Sequence, residues 1–111
     1  MLYLIIIKGV GVIPSGVYKV VIKDCQQGLK CKYNNKDMLL VTLEIIDGQF
    51  KGKVIKDYIV DNVHAVERVV NILNSCDVKV QRFSPACIKS KKCYVSVSNI
   101  YNRKLKVERY Y

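Results

Sequence analysis

Apolar side chains recur at every second position in five separate stretches of this chain and at helical spacing in only one. That period places residues i, i+2 and i+4 on one face of an extended strand, so each stretch reads as a strand with one buried and one wet face. Val17–Cys25 puts Tyr18, Val20 and Ile22 on one side and Lys19, Val21 and Lys23 on the other. Met38–Asp47 turns Leu39, Val41, Leu43 and Ile45 inward. Lys53–Val60 sets Val54, Lys56 and Tyr58 against Ile55, Asp57 and Ile59. Lys92–Asn99 buries Cys93, Val95 and Val97, and Lys104–Tyr110 buries Leu105 and Val107. Turn residues separate the runs: Pro14–Gly16, Asp47-Gly48 with Gly52, and Tyr101-Asn102-Arg103. Gln26–Asp37 is polar and basic and reads as a long mobile connection. The helical stretch follows the third strand, with Asp61 or Asn62 as N-cap and a stripe of Val63, Val66, Val70 and Leu73 widened by Val69 and Ile72. A looser segment carries Arg82, Pro85 and Cys87. Leu2–Ile7 is a short β-branched run that reads as an extra strand in front.

The resulting order is three meandering strands, a helix and a two-stranded hairpin. That is the order of the OB fold, an all-β five-stranded Greek-key barrel with one helix between the third and fourth strands. An SH3-like barrel and an open α+β sheet are the alternatives. The chain's 111 residues are one domain's length, so residues 1–111 are read as a single domain.

Charge narrows the partner. Lys and Arg total 19 against 9 Asp and Glu, a formal net charge of +10. Such an excess favours a polyanion and is spread over strands and loops, which suits a face or groove better than a basic tail. Catalytic groups are sparse. His64 is the only His and sits at the start of the helix, with no nucleophile-base pair around it. Asp47, Asp57 and Asp61 are not forced together by alternation. Gly9 and Gly11 precede no Lys-Ser or Lys-Thr, so no phosphate loop is present. The five cysteines, Cys25, Cys31, Cys76, Cys87 and Cys93, contain no C-x-x-C pair and read as thiols in a reducing compartment. A non-enzyme with no metal and no cofactor is expected. Leu2–Ile7 is too short to span a bilayer and has no signal-peptide flanks, so a cytoplasmic protein without a membrane partner is expected.

A single strand of nucleic acid is held by cations tracking its phosphates and aromatic rings stacking on its bases. The chain's eight Tyr and two Phe are interleaved with basic residues. The candidate contacts are Lys30, Lys32, Tyr33 and Lys36 after the first strand; Phe50, Lys51, Lys53, Lys56 and Tyr58 around the third; Tyr94 on the fourth; and Tyr101, Arg103 and Lys104 before the fifth. All but Tyr94 fall on the second and third strands or the loops that form the usual OB binding face. Tyr18 is expected in the core. Tyr58 and Tyr94 fit a half-buried strand surface as well as a platform, since Tyr favours such positions.

The segment Ile13-Pro14-Ser15-Gly16-Val17-Tyr18, the hairpin Leu43-Glu44-Ile45-Ile46-Asp47-Gly48-Gln49-Phe50-Lys51-Gly52-Lys53 and the strand through Asp57-Tyr58 resemble a family of small phage and prophage proteins long catalogued as a domain of unknown function. The resemblance implies an OB-fold single-stranded-DNA-binding protein acting in phage or prophage DNA replication or recombination. Such proteins can end in an acidic tail that recruits partners. Here the last residues are Lys106-Val107-Glu108-Arg109-Tyr110-Tyr111, so strand binding without tail-mediated recruitment is expected. Two other readings stay open: an RNA-binding OB module using the same groove, and a protein-interaction or assembly module in which Leu2–Ile7 pairs across a homodimer edge.

Overall fold

The computed structural model describes residues 13–100 and 104–111. Five strands form one antiparallel sheet: β1 (Gly16–Lys30), β2 (Asp37–Ile45), β3 (Val54–Val60), β4 (Lys92–Ile100) and β5 (Lys104–Tyr110). One α-helix, α1 (Ala65–Ser75), lies between β3 and β4 in the chain, followed by a 3₁₀ turn at Pro85–Cys87. The expected order of elements is therefore present. The strands lie side by side as β3-β2-β1-β4-β5, and no backbone ladder joins the outer strands β3 and β5. The sheet is open. Leu2–Ile7 and the Tyr101–Arg103 turn lie outside the described residues.

β1 belongs to both halves of the sheet. It pairs with β4 from Gly16 to Val21 and with β2 from Val20 to Lys30. Both flanks are occupied together only around Val20–Ile22, where the Ile22 N–H also donates to the Lys91 carbonyl (2.7 Å) and the Ser90 N–H donates to the Ile22 carbonyl (2.7 Å). The two half-sheets thus meet at a narrow waist.

β1 runs further than its alternation indicates. Register shifts between Ile22 and Asp24 and between Gln26 and Leu29 break the period of two, so Cys25 rather than Asp24 turns inward. Gly28 has φ +82°, a left-handed conformation that glycine takes without steric cost, and this lets the strand resume after the second bulge. The expected connection over Gln26–Asp37 is accordingly corrected to a short loop over residues 31–36.

The buried faces are otherwise those of the alternation. Val20 and Ile22 on β1, Val41, Leu43 and Ile45 on β2, Ile55 and Ile59 on β3, Cys93, Val95 and Val97 on β4, and Val107 on β5 share one core with Ile13, Ile72 and Ile88. Each fully buried aliphatic side chain contributes about 1.5–3 kcal/mol. At the β2–β3 hairpin, Gly48 and Gly52 both have positive φ, and the Gly52 N–H donates to the Ile45 carbonyl (2.8 Å), closing the turn.

The helix differs from expectation in phase and start. Val63 and Val66 are 88% and 74% exposed and Val70 is exposed too, while Ile72 is buried and Ala65 and Leu73 pack on the core. Residues 65, 68, 69 and 72 form the inward stripe, and one of them is Arg68. A stripe traced through apolar residues alone is therefore rotated away from it. The helix begins at Ala65 with His64 at the N-cap position and no side-chain cap. Asn62 instead accepts the His64 N–H on Oδ1 (2.9 Å), closing the turn before the helix, and Asp61 is not the cap.

Candidate nucleic-acid interface

The β1–β2 loop is short enough to be held by its own backbone. The Cys31 N–H donates to the Lys36 carbonyl (2.9 Å), and the Asn35 N–H donates to the Cys31 carbonyl (3.0 Å). Asn34 Oδ1 accepts the Lys36 N–H (3.1 Å), and Asn35 takes a left-handed φ of 56°. Tyr33 at the tip is 97% exposed, with Lys32 and Lys36 exposed beside it. A ring so exposed gains nothing from burial in this chain. At the loop base Lys30 pairs with Asp37, an exposed contact that partly neutralises Lys30.

Register brings a second group to the same end of the sheet. On β3, Lys56 and Tyr58 point outward while Ile55, Asp57 and Ile59 are buried. Tyr58, 53% exposed, stands opposite Leu40, and β2 begins only three residues earlier at Asp37. Lys30, Lys32, Tyr33, Lys36 and Tyr58 therefore lie around one end of the β2–β3 hairpin, with Lys56 further along β3 opposite Thr42. Phe50, Lys51 and Lys53 lie at the other end. Lys51 and Lys53 are exposed there, but Phe50 is half-buried, edge-on to Tyr18 with ring centroids 6.1 Å apart and planes at 83°. It covers the core. Tyr94 is half-exposed on the other half-sheet, with Lys19 Nζ 6.0 Å from its ring centroid. Tyr101 and Arg103 lie outside the described residues, and Lys104 begins β5.

Between the outer strands runs a groove of about 580 Å³, lined by Lys56, Tyr58, Asn62, His64, Arg68 and Lys106 among others. It continues the Lys56–Tyr58 face. Lys106 was not among the sequence candidates, although its place between inward Leu105 and Val107 marks it as outward. The bottom of this seam is polar and hydrogen-bonded. Asp57 Oδ2 accepts from Arg68 Nη2 (2.9 Å), from Arg68 Nε (3.2 Å) and from the Tyr110 hydroxyl (2.7 Å). Arg68 Nη2 also donates to the Val107 carbonyl (2.7 Å), and its guanidinium lies 5.6 Å from the Tyr110 ring centroid. One carboxylate thus ties β3, α1 and β5 together. Burial, reinforced by the Asp57 charge, pushes the Tyr110 phenol well above its ordinary range. Tyr110 reaches the core because a register shift at Ser96/Val97 moves it to the position alternation gives Arg109.

The thiols divide by environment. Burial raises Cys25 to about 11, helped by the neighbouring Asp24 charge. Cys76 at the helix end is lowered to about 7, chiefly by a hydrogen bond with the Cys93 thiol, which is raised in turn. Ser84 Oγ lies 3.2 Å from Cys87 Sγ and lowers that thiol. Among the described residues no three His, Cys, Asp or Glu side chains are grouped to hold a metal ion, and no helix is long and apolar enough to cross a membrane.

Comparison with known proteins assigns the chain to a family. Residues 6–108 match the family described as "Protein of unknown function (DUF669)", and the chain belongs to it. No curated protein matches the chain.

Proposed function

We propose that this DUF669 member binds single-stranded DNA with little sequence preference, on an OB-type barrel, without catalysis. The observation that carries the proposal is Tyr33, nearly fully exposed on a self-bonded loop between Lys32 and Lys36, at the same end of the sheet as outward Tyr58. Exposed rings flanked by cations are what a flexible polyanion with stacking bases requires. The OB assignment is supported by the strand order β3-β2-β1-β4-β5, by the helix between β3 and β4, and by the Asp57–Tyr110 bond that draws the outer strands toward each other. A role in phage or prophage replication or recombination is supported by the resemblance of the Ile13–Val60 segment.

The test is titration of a labelled oligothymidylate at several salt concentrations. If Lys32, Lys36, Lys56 and Lys106 neutralise phosphates, the log–log salt slope is about −3. Binding to duplex as tight as to single strands would sink the proposal, and competition with a matched RNA separates DNA from RNA. An assembly module is the second reading. It is favoured by the exposed row of Val63, Val66 and Val70, and sedimentation showing self-association without oligonucleotide binding would select it.

A further inference from the structure

The outward face of the β1–β4–β5 half-sheet carries a cross-strand row that the β2–β3 face does not explain. Lys19 on β1 stands opposite Tyr94 on β4. Tyr94 in turn exchanges backbone hydrogen bonds with Tyr111, whose N–H donates to the Tyr94 carbonyl at 2.8 Å. Lys19 Nζ lies 6.0 Å from the Tyr94 ring centroid, and the Arg109 guanidinium lies 5.5 Å from that of Tyr111. The rings are 49% and 50% exposed.

Each ring is thus paired with a cation, and about half of each remains open. None of the four ion pairs among the described residues involves Lys19, Lys92 or Arg109. The adjacent carboxylate, Glu108, accepts from the Ser98 hydroxyl at 2.7 Å and forms no ion pair there. Cation–aromatic pairs at such exposed sites contribute little to the fold. Two adjacent half-open rings flanked by cations without carboxylate partners are complementary to stacked bases and their phosphates.

We infer that Lys19, Tyr94, Arg109 and Tyr111 form a second contact surface for single-stranded nucleic acid, separate from the Tyr33–Tyr58 face. The inference rests on the reading of the chain as a single-strand binder and adds a surface to it. The separation follows from register. Tyr58 aligns through Leu40 with Gln26 on β1, whereas Tyr94 aligns with Lys19, so the two faces are offset by about 23 Å along that strand at ~3.3 Å per residue. They also lie on opposite flanks of β1.

The experiment is a ¹⁵N–¹H correlation titration of the full chain with an oligothymidylate of about eight nucleotides at low salt, within the range of OB site sizes. The amides of Lys19, Tyr94, Ser96 and Tyr111 are expected to shift saturably, apart from those of Tyr33 and Tyr58. In Tyr94→Ala/Tyr111→Ala the first set should stay still while the second set still moves. Anisotropy with a longer oligonucleotide should show affinity falling at least tenfold. Should that variant unfold, Lys19→Glu/Arg109→Glu keeps both rings and gives the same readout. If the loop amides shift but the Lys19–Tyr111 row does not, the inference falls and the proposed function stands. If only the row shifts, the inference stands and the Tyr33–Tyr58 interface falls. If nothing shifts, both are overturned.

Discussion

Asp57→Ala is expected to be the most damaging single polar substitution in the described structure. The carboxylate is 8% exposed, and one of its oxygens takes three hydrogen bonds, two from Arg68 and one from the Tyr110 hydroxyl. Its removal leaves a partly buried guanidinium and a buried phenol facing an alanine. Breaking a buried pair from one side costs about 3–5 kcal/mol, because the surviving partner stays desolvated. Small domains hold only about 5–15 kcal/mol in total, so the variant should be barely folded at 25 °C. With a denaturant slope of ~1.5 kcal/mol/M, the urea midpoint should fall by about 2–3 M, read by far-UV circular dichroism or tyrosine fluorescence. Tyr110→Phe leaves the Arg68–Asp57 pair in place and should cost about 1–3 kcal/mol. A double-mutant cycle between positions 57 and 110 should return a coupling of about 0.5–3 kcal/mol. A loss below about 0.5 kcal/mol for Asp57→Ala is the behaviour of an ordinary surface position, and would refute the idea that this carboxylate holds β3, α1 and β5 together.

Alkaline pH should act through the same seam. Because the folded-state phenol of Tyr110 is raised above its ordinary 10.0, its contribution is fully present below pH 10 and declines above it as the unfolded chain ionises first, by up to about 1.4 kcal/mol per pH unit. Wild-type protein should lose stability above pH 10 more steeply than Tyr110→Phe in parallel urea titrations. Tyr33→Ala should leave the melting midpoint within error and weaken oligonucleotide binding by about 1–3 kcal/mol, whereas Phe50→Ala should lower the midpoint; the reverse pattern would exchange their roles. Iodoacetamide at pH 7.5 should modify Cys87 well before Cys25, as peptide mapping by mass spectrometry would show, since one thiol is lowered by Ser84 and the other raised by burial.

Strand interiors were legible in the sequence because a half-buried strand needs only the period of two. Val20 and Ile22, the β2 set from Val41 to Ile45, and the inward Cys93, Val95 and Val97 follow it directly. Bulges are where legibility stopped. A bulge adds one residue and inverts the parity of everything beyond it, so Cys25 and Tyr110 lie inward where alternation assigns Asp24 and Arg109. The helix misled for a related reason. Its inward face includes Arg68, whose burial is compensated by a carboxylate eleven residues away, and no local pattern announces that partner. Tyr33 and Tyr58 were legible as candidates because turn and strand chemistry set their exposure. Phe50 was not, because its edge-on contact with Tyr18 is a tertiary fact.

The waist at Val20–Ile22 has a consequence for energetic coupling. Backbone pairing joins the two half-sheets only over that short stretch of β1, and on the far side they are drawn together by the side chains around Asp57. A ligand on one half can act on the other through the waist, the seam or the apolar core that both halves share, and Tyr33, on the loop beyond Lys30, shares no paired residue with Tyr94, which stands opposite Lys19. Sites more than about 7–10 Å apart with no shared partner have additive free energies. Substitutions at Tyr33 and Tyr94 should therefore combine as a simple sum, and any departure from that sum would measure how far the waist, the seam or the core yields when a strand is bound.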